Sequence, residues 1–162
     1  MAEAFGVAAG AVGVLGFTGQ VLQGCMFLRQ AIDQIKDAPK EVQLTKESLN
    51  CVESTITRID ELQVRAAQAN IDVFDISSDI AFCRKAIESL ELHIKPTFDA
   101  FQLHNGSDVG NASQGSQVDS RKGRRAWRRL KAAFESPKMK DLVTQLEQSK
   151  TQLLGAQTNM IQ

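Results

Sequence analysis

The sequence has few of the residues from which catalytic and metal sites are built. Its 162 residues include no tyrosine, one tryptophan, two histidines and three cysteines. Cys25, Cys51 and Cys83 are far apart and form no CxxC pair, which argues against a disulfide framework or a zinc site and favours reduced, buried thiols. His93 and His104 lack a metal-ligand spacing and are interpreted as packed or surface side chains.

Motifs of enzymes are also missing from the chain. There is no phosphate-binding loop, no GxSxG and no HExxH. Carboxylates such as Glu53, Asp60, Glu88 and Glu91 fall on helix faces that the hydrophobic pattern leaves exposed. We therefore expect no enzymatic activity, no cofactor and no bound metal.

Charge is absent from the first part of the chain, where residues 4–28 contain no charged side chain and six of the eleven glycines. As a helix these 25 residues would measure about 37 Å, enough to cross a bilayer core of about 30 Å. Thr18, Gln20 and Gln23 make the segment only marginally hydrophobic. Its one early charge is Glu3, whereas a secretory signal begins with positive charge. Two interpretations of residues 4–28 remain: a helix of the protein core, and a helix that binds a membrane in one state only.

The glycines of this segment follow a helical line. At 100° per residue Gly6, Gly10 and Gly13 lie within roughly 60° of each other, which suits close helix packing. Each interior glycine costs about 0.5–1 kcal/mol of helix stability, so their number suits either a crowded core or a helix that leaves its place in one state. The apolar residues expected to enter a membrane are Phe5, Val7, Val12, Val14, Leu15, Phe17, Val21 and Leu22.

Hydrophobic periodicity predicts an all-α protein with a single domain over residues 1–162. The apolar N-terminal helix is placed at 1–36 and ends before Pro39, and a second helix runs to about Asn70. A third helix, capped by Ser77 or Ser78, contains Pro96, which should kink or divide it. The buried positions expected in these helices are Val21, Leu28, Ile32, Ile35, Val42, Leu49, Val52, Ile56, Ile59, Ile80, Cys83, Ile87, Leu90, Ile94, Phe98 and Phe101.

The last third of the chain predicts a loop followed by helix. Residues 105–120 have almost no large apolar side chain and are expected to form a mobile surface loop. Ser136 and Pro137 are typical of a helix start, and one apolar stripe follows on each side of them. The predicted architecture is an up-and-down bundle of four long helices with a kink or short extra helix near Pro137. The stripes comprise Trp127, Leu130 and Phe134 and then Leu142, Leu146, Leu153 and Met160.

Positive charge is concentrated in one short segment. Residues 121–131 carry seven basic side chains and no acid, although the whole chain has zero net charge. Such a segment suits an anionic lipid surface, with Arg124, Arg125, Arg128 and Arg129 as the candidate contacts. Neutralisation by acidic helices of the same bundle explains the cluster equally well. One cluster with a single aromatic is weak evidence for nucleic acid, and we expect no nucleic-acid partner.

Two stretches together resemble a known family. The opening MAEAFGVAAGAVGVLGFTGQVLQG with the following IKDAPKEVQLTKESLN is similar to the start of fungal HeLo-like N-terminal domains of STAND/NOD-like receptors. The later RRAWRRLKAAFESPKMKDLVTQLEQSKTQLLGA is similar to the basic, tryptophan-containing segment and final leucine-rich helix of that family.

The resemblance implies a domain that executes programmed cell death, as in fungal heterokaryon incompatibility. It would be cytoplasmic, self-associate on a signal from a nucleotide-binding receptor or amyloid-signalling partner outside this chain, and permeabilise the plasma membrane through residues 4–28. The alternative is a soluble adaptor or oligomerisation module of a fungal NOD-like receptor whose first helix never leaves the bundle.

Overall fold

A computed structural model describes the backbone of residues 4–72, 75–105 and 116–161, and the side chains of residues 16–72, 75–103, 121 and 123–161. The described backbone is all-helical, without a strand in these ranges, as the sequence predicts. The helices are α1 (Ala4–Asp33), α2 (Lys40–Gln68), α3 (Ser77–Asn105), α4 (Ser116–Glu135) and α5 (Pro137–Ile161).

Contacts between the helices place α3 at the centre of the fold. The α3 helix packs against α1, α4 and α5, while α2 packs against α1 and α5. Helices α1, α2, α5 and α3 are thus joined in a ring around one core. The α4 helix is packed mainly against the outside of α3 and touches α5 near their junction. In place of a kink or a short extra helix near Pro137, the structure has two separate helices there, α4 of 20 residues and α5 of 25 residues.

The periodic apolar residues form the core, as predicted for all four ring helices. The stripe of α3 from Ile80 to Phe101 is buried at every predicted position, and so are the stripes of α2 and of the second half of α1. On α5, Leu142, Leu146 and Leu153 are buried and Met160 is half-buried. Burial in each helix repeats at three and four residues because only one side of it faces the others.

Several helix boundaries differ from the expected ones for local reasons. The α1 helix ends at Asp33 rather than at residue 36, and Asp37 takes a left-handed conformation with φ of 55° that ends the turn. The α2 helix ends in a Schellman motif: Asn70 has φ of 52°, and the Ile71 amide donates to the Ala66 carbonyl at 2.9 Å. Asparagine tolerates this conformation because its short polar side chain bonds locally.

The start of α3 also corrects the predicted cap. The Asp75 carboxylate accepts from the Ser77 amide at 3.0 Å and from the Ser77 hydroxyl at 2.6 Å, so Ser77 is a donor here and Asp75 supplies the acceptor. These two hydrogen bonds lower the pKa of Asp75. Pro96 does not divide α3, which continues through it to Asn105.

Described helices extend into both ends of the segment 105–120 that was expected to be a loop. Asn105 belongs to α3, and residues 116–120 already belong to α4; residues 106–115 lie outside the described residues. The predicted break at Ser136 is confirmed, since its hydroxyl accepts from the Met139 amide at 3.2 Å at the start of α5.

Candidate functional site

The basic face of α4 carries a dense row of exposed positive charge. Five side chains share it, spaced at three and four residues over two helical turns, and all are exposed. We call this set the arginine stripe: Arg121, Arg124, Arg125, Arg128 and Arg129. Along the helix axis it extends about 12 Å. The sequence prediction had named the last four; Arg121, three residues before Arg124, completes the pattern and could have been found from that spacing.

The opposite face of α4 explains why the stripe points outward. Ala126, Leu130 and Phe134 are buried against the core and Trp127 is half-buried beside them, with Lys131 Nζ 5.5 Å from its ring centre. The apolar face fixes the helix rotation, and the arginines therefore extend away from α3.

No neutralisation of the stripe is seen in the described part of the chain. Every ion pair there joins side chains of other segments, and none places a carboxylate within 4.0 Å of a stripe arginine. Direct pairing of these arginines with acidic side chains of the same bundle is therefore not seen among the described residues.

The N-terminal helix has a buried side and an exposed side over the residues whose side chains are described. Val21, Cys25 and Leu28 are buried, while Gln20 and Gln23 on other sides are exposed. Of the residues expected to enter a membrane, Val21 is buried and Phe17 and Leu22 are half-buried against the core. The remaining members of that set, and the glycine line, lie on the helical backbone but outside the described side chains: Phe5, Val7, Val12, Val14, Leu15, Gly6, Gly10 and Gly13.

The described glycines of α1 fall into two classes. At Gly24 an added Cβ would collide with Cγ2 of Ile87 on α3, so this glycine permits the helices to approach closely. At Gly16 and Gly19 an added Cβ would meet no described atom within 4 Å. Close packing therefore explains Gly24 but gives no reason for Gly16 and Gly19.

Ion pairs hold the C-terminal half of α1 to α2. Arg29 Nη2 lies 2.9 Å from Glu53 Oε2, and Arg29 Nη1 donates to Asn50 Oδ1 at 2.9 Å. Lys46 pairs with Asp33 near the end of the helix. These contacts, together with the buried stripe, fix residues 21–33 in the ring.

The cysteines and His93 have structural environments. Burial raises the pKa of Cys25 to about 12 and that of Cys83 to about 11, so both thiols are protonated at neutral pH; Cys51 is half-buried and also free. His93 is packed, with Nε2 3.0 Å from Ser136 Oγ, and joins α3 to the α4–α5 junction. That contact could not be predicted from sequence, because it joins residues 43 positions apart.

The described residues hold no group of three or more histidine, cysteine or acidic side chains suited to a metal ion. A groove of about 680 Å³ lies between the C-terminal ends of α2 and α5, with an apolar floor that includes Leu62, Ala66 and Met160. Arg65 and Asp72 also line it. None of these features assembles a nucleophile with a base.

A search for a membrane-spanning segment among the described residues identified no helix with both the length and the apolarity needed. Comparison of the chain with protein-family models, curated proteins and solved structures gave no match in any of the three.

Proposed function

We propose that this protein is a membrane-acting helical domain that docks on anionic phospholipid through the arginine stripe of α4 and perturbs the bilayer through the N-terminal part of α1. The observation that supports it best is the stripe itself, five exposed arginines with no carboxylate partner among the described side chains. Each basic residue near an anionic bilayer contributes about 1 kcal/mol of binding free energy.

The proposal includes the activity that the family resemblance implies: an executioner of programmed cell death that self-associates on a signal from a nucleotide-binding receptor or amyloid-signalling partner and moves from the cytoplasm to the plasma membrane. It also includes an up-and-down arrangement of the long helices, supported by the contacts that join α1, α2, α5 and α3. The resemblance to HeLo-like domains supports both parts.

A flat anionic surface suits the stripe better than a small ligand. The guanidinium groups lie along one straight helix face instead of converging on a pocket, so several phosphate groups side by side are needed to contact them all. Trp127 is half-buried in the helix interface, which leaves the stripe without an exposed aromatic to stack on nucleic-acid bases.

Vesicle binding tests the docking step. Purified protein should sediment with vesicles of phosphatidylcholine and phosphatidylserine, bind poorly to pure phosphatidylcholine, and dissociate as salt is raised. Changing all five stripe arginines to glutamine should weaken binding at least about tenfold. The matched control changes five scattered, exposed cations to glutamine: Lys36, Lys40, Arg58, Lys85 and Lys138. Equal loss in both variants would mean that only total charge matters and would refute docking through α4.

Dye leakage from the same vesicles tests the bilayer step, with and without a fused dimerisation module that mimics activation. Wild-type protein should release dye once dimerised, and Val14→Glu with Leu15→Glu should abolish release while binding through α4 persists. Circular dichroism checks that this variant is folded. Binding without leakage under all these conditions would contradict membrane permeabilisation.

A second candidate function is a soluble adaptor whose first helix stays in the bundle. The complete burial of Val21 and Cys25 favours it, because both contribute to the core that α1 shares with α3. The same leakage experiment separates the two functions, since an adaptor releases no dye at any lipid charge.

A further inference from the structure

Arg84 on α3 reaches across to the middle of α1. Its guanidinium carbon lies 4.6 Å from the centre of the Phe17 ring, and its Nη1 donates a hydrogen bond to Gln20 Oε1 at 3.1 Å. On its own helix, Arg84 Nε lies 3.5 Å from Glu88 Oε1, an i,i+4 ion pair that orients the side chain. One side chain thus contacts α1 at Phe17 and again at Gln20, three residues later.

These contacts lie at a boundary within α1. Thr18 is already buried, and from Val21 onward the helix adds a buried apolar stripe, close contact with Ile87 at Gly24, and ion pairs to α2. Just before Val21 come Gly16 and Gly19, whose missing side chains leave space unfilled by any described atom. Glycine lowers helix stability, so this short stretch is the easiest part of the described helix to unwind.

We propose that Arg84 is a clamp that holds the part of α1 ending at Gln20 on α3, and that the weak helicity of Gly16 and Gly19 lets this part detach when the clamp is lost. In the open state residues 4–20 leave α3, whereas residues 21–33 stay in the ring. The consequence of opening, access of residues 4–20 to a bilayer, rests on the proposed function; the clamp itself does not.

The strength of the clamp suits a contact that has to open. A half-exposed cation–π contact and a single hydrogen bond from a charged donor are each modest in water. Their loss should raise the open population about fivefold to tenfold without unfolding the core. The Arg84 side chain is 32% exposed and is not one of the buried core residues, and Arg84→Lys keeps most of its aliphatic stem.

Hydrogen exchange of the full chain, read by mass spectrometry, tests the clamp. Arg84→Ala should speed amide exchange in residues 4–20 about fivefold to tenfold and leave residues 21–33 unchanged. Phe17→Leu, which keeps an apolar side chain but removes the aromatic ring, should give part of that effect. Lys85→Ala is the matched control, because Lys85 is the exposed next residue of α3, and its exchange pattern should equal that of the wild type.

Unchanged exchange of residues 4–20 in Arg84→Ala would overturn the proposal. So would equal acceleration throughout α1, because it would mean that Arg84 stabilises the whole helix instead of clamping one part. Arg84→Lys gives a second measure: it keeps the charge but loses the planar group, and should fall between wild type and Arg84→Ala.

Vesicle leakage with the same variants separates this inference from the proposed function. If the proposed function is correct, Arg84→Ala should leak dye faster, or at lower protein concentration, than Lys85→Ala. Faster exchange of residues 4–20 without any leakage would leave the clamp in place and refute the membrane function. Leakage that is equal in both variants, with unchanged exchange, would refute the clamp alone.

Discussion

Alanine substitution should affect the glycines of α1 in opposite directions. Gly16→Ala and Gly19→Ala add a methyl group where no described atom lies within 4 Å, and each removes the conformational penalty of glycine. The expected gain is about 0.5–1 kcal/mol at each position, or about 1–2 kcal/mol for the double variant. For a protein of this size that gain raises Tm by roughly 2–8 °C.

Gly24→Ala should destabilise the protein in spite of the same helix-propensity gain. The added Cβ would collide with Cγ2 of Ile87, a side chain that is 1% exposed and cannot turn away. Overpacking of this kind costs about 1–3 kcal/mol, which exceeds the gain from removing a glycine. The difference in sign between Gly24 and the pair Gly16 and Gly19 is the core of the prediction.

The colliding methyl group can be removed to check the cause. Ile87→Leu takes away the branch at Cβ at nearly constant volume and should cost less than about 1.5 kcal/mol alone. In the double variant Gly24→Ala with Ile87→Leu, the two changes should be less harmful together than their sum, with a coupling of about 0.5–2 kcal/mol.

Urea unfolding followed by circular dichroism, with thermal melts as a second measure, gives these free energies. Stabilisation by Gly24→Ala equal to that of Gly16→Ala would refute the close approach of α1 to α3. Destabilisation by Gly16→Ala or Gly19→Ala would show that these glycines are packed. Because the double alanine variant strengthens the helix around Phe17, it should also slow vesicle leakage while leaving vesicle binding unchanged.

Two further predictions concern the core and the junction of α4 and α5. Ser136→Ala should lower the free energy of unfolding in urea by about 1 kcal/mol, because it removes the hydroxyl that accepts from the Met139 amide. Ser136→Asp should recover most of that loss. Equal stability of the wild type and Ser136→Ala would contradict the cap. The free energy of unfolding should also fall as pH rises above about 9. The unfolded chain ionises Cys25 and Cys83 there, whereas burial raises the pKa of these thiols in the folded state to about 12 and about 11. The double variant Cys25→Ala with Cys83→Ala should flatten this pH dependence, and an unchanged slope would refute the role of the two thiols.

Much of the fold could be predicted from sequence because its signals are local. A helix that buries one side repeats its apolar residues at three and four positions, and this pattern located the stripes from Val21 to Leu153. Ser136 with Pro137 was recognised for the same reason, since a cap depends on residues a few positions apart. The end of α1 and the cap of α3 were predicted wrongly. Near the first, Asp37 takes a left-handed backbone conformation, and at the second, Asp75 and not Ser77 supplies the acceptor.

The candidate site divides in a similar way. The sequence identified the arginines of α4 and left open whether the bundle neutralises them, because pairing depends on which face of α4 meets α3. In the structure Ala126, Leu130 and Phe134 are buried against the core, which turns the arginines outward. Arg84 gave no signal in the sequence, since its partner Gln20 is 64 residues away.

The sequence by itself determined the all-helical class, the buried faces, the charge-free first segment and the basic cluster, because each depends on residues within a few turns of one another. Only the tertiary structure decided which described glycine is needed for packing, which described arginines have no carboxylate within reach, and which side chain of α3 contacts α1 at Phe17 and Gln20. Those features depend on distances between helices, and such distances are set by the packing of the whole ring.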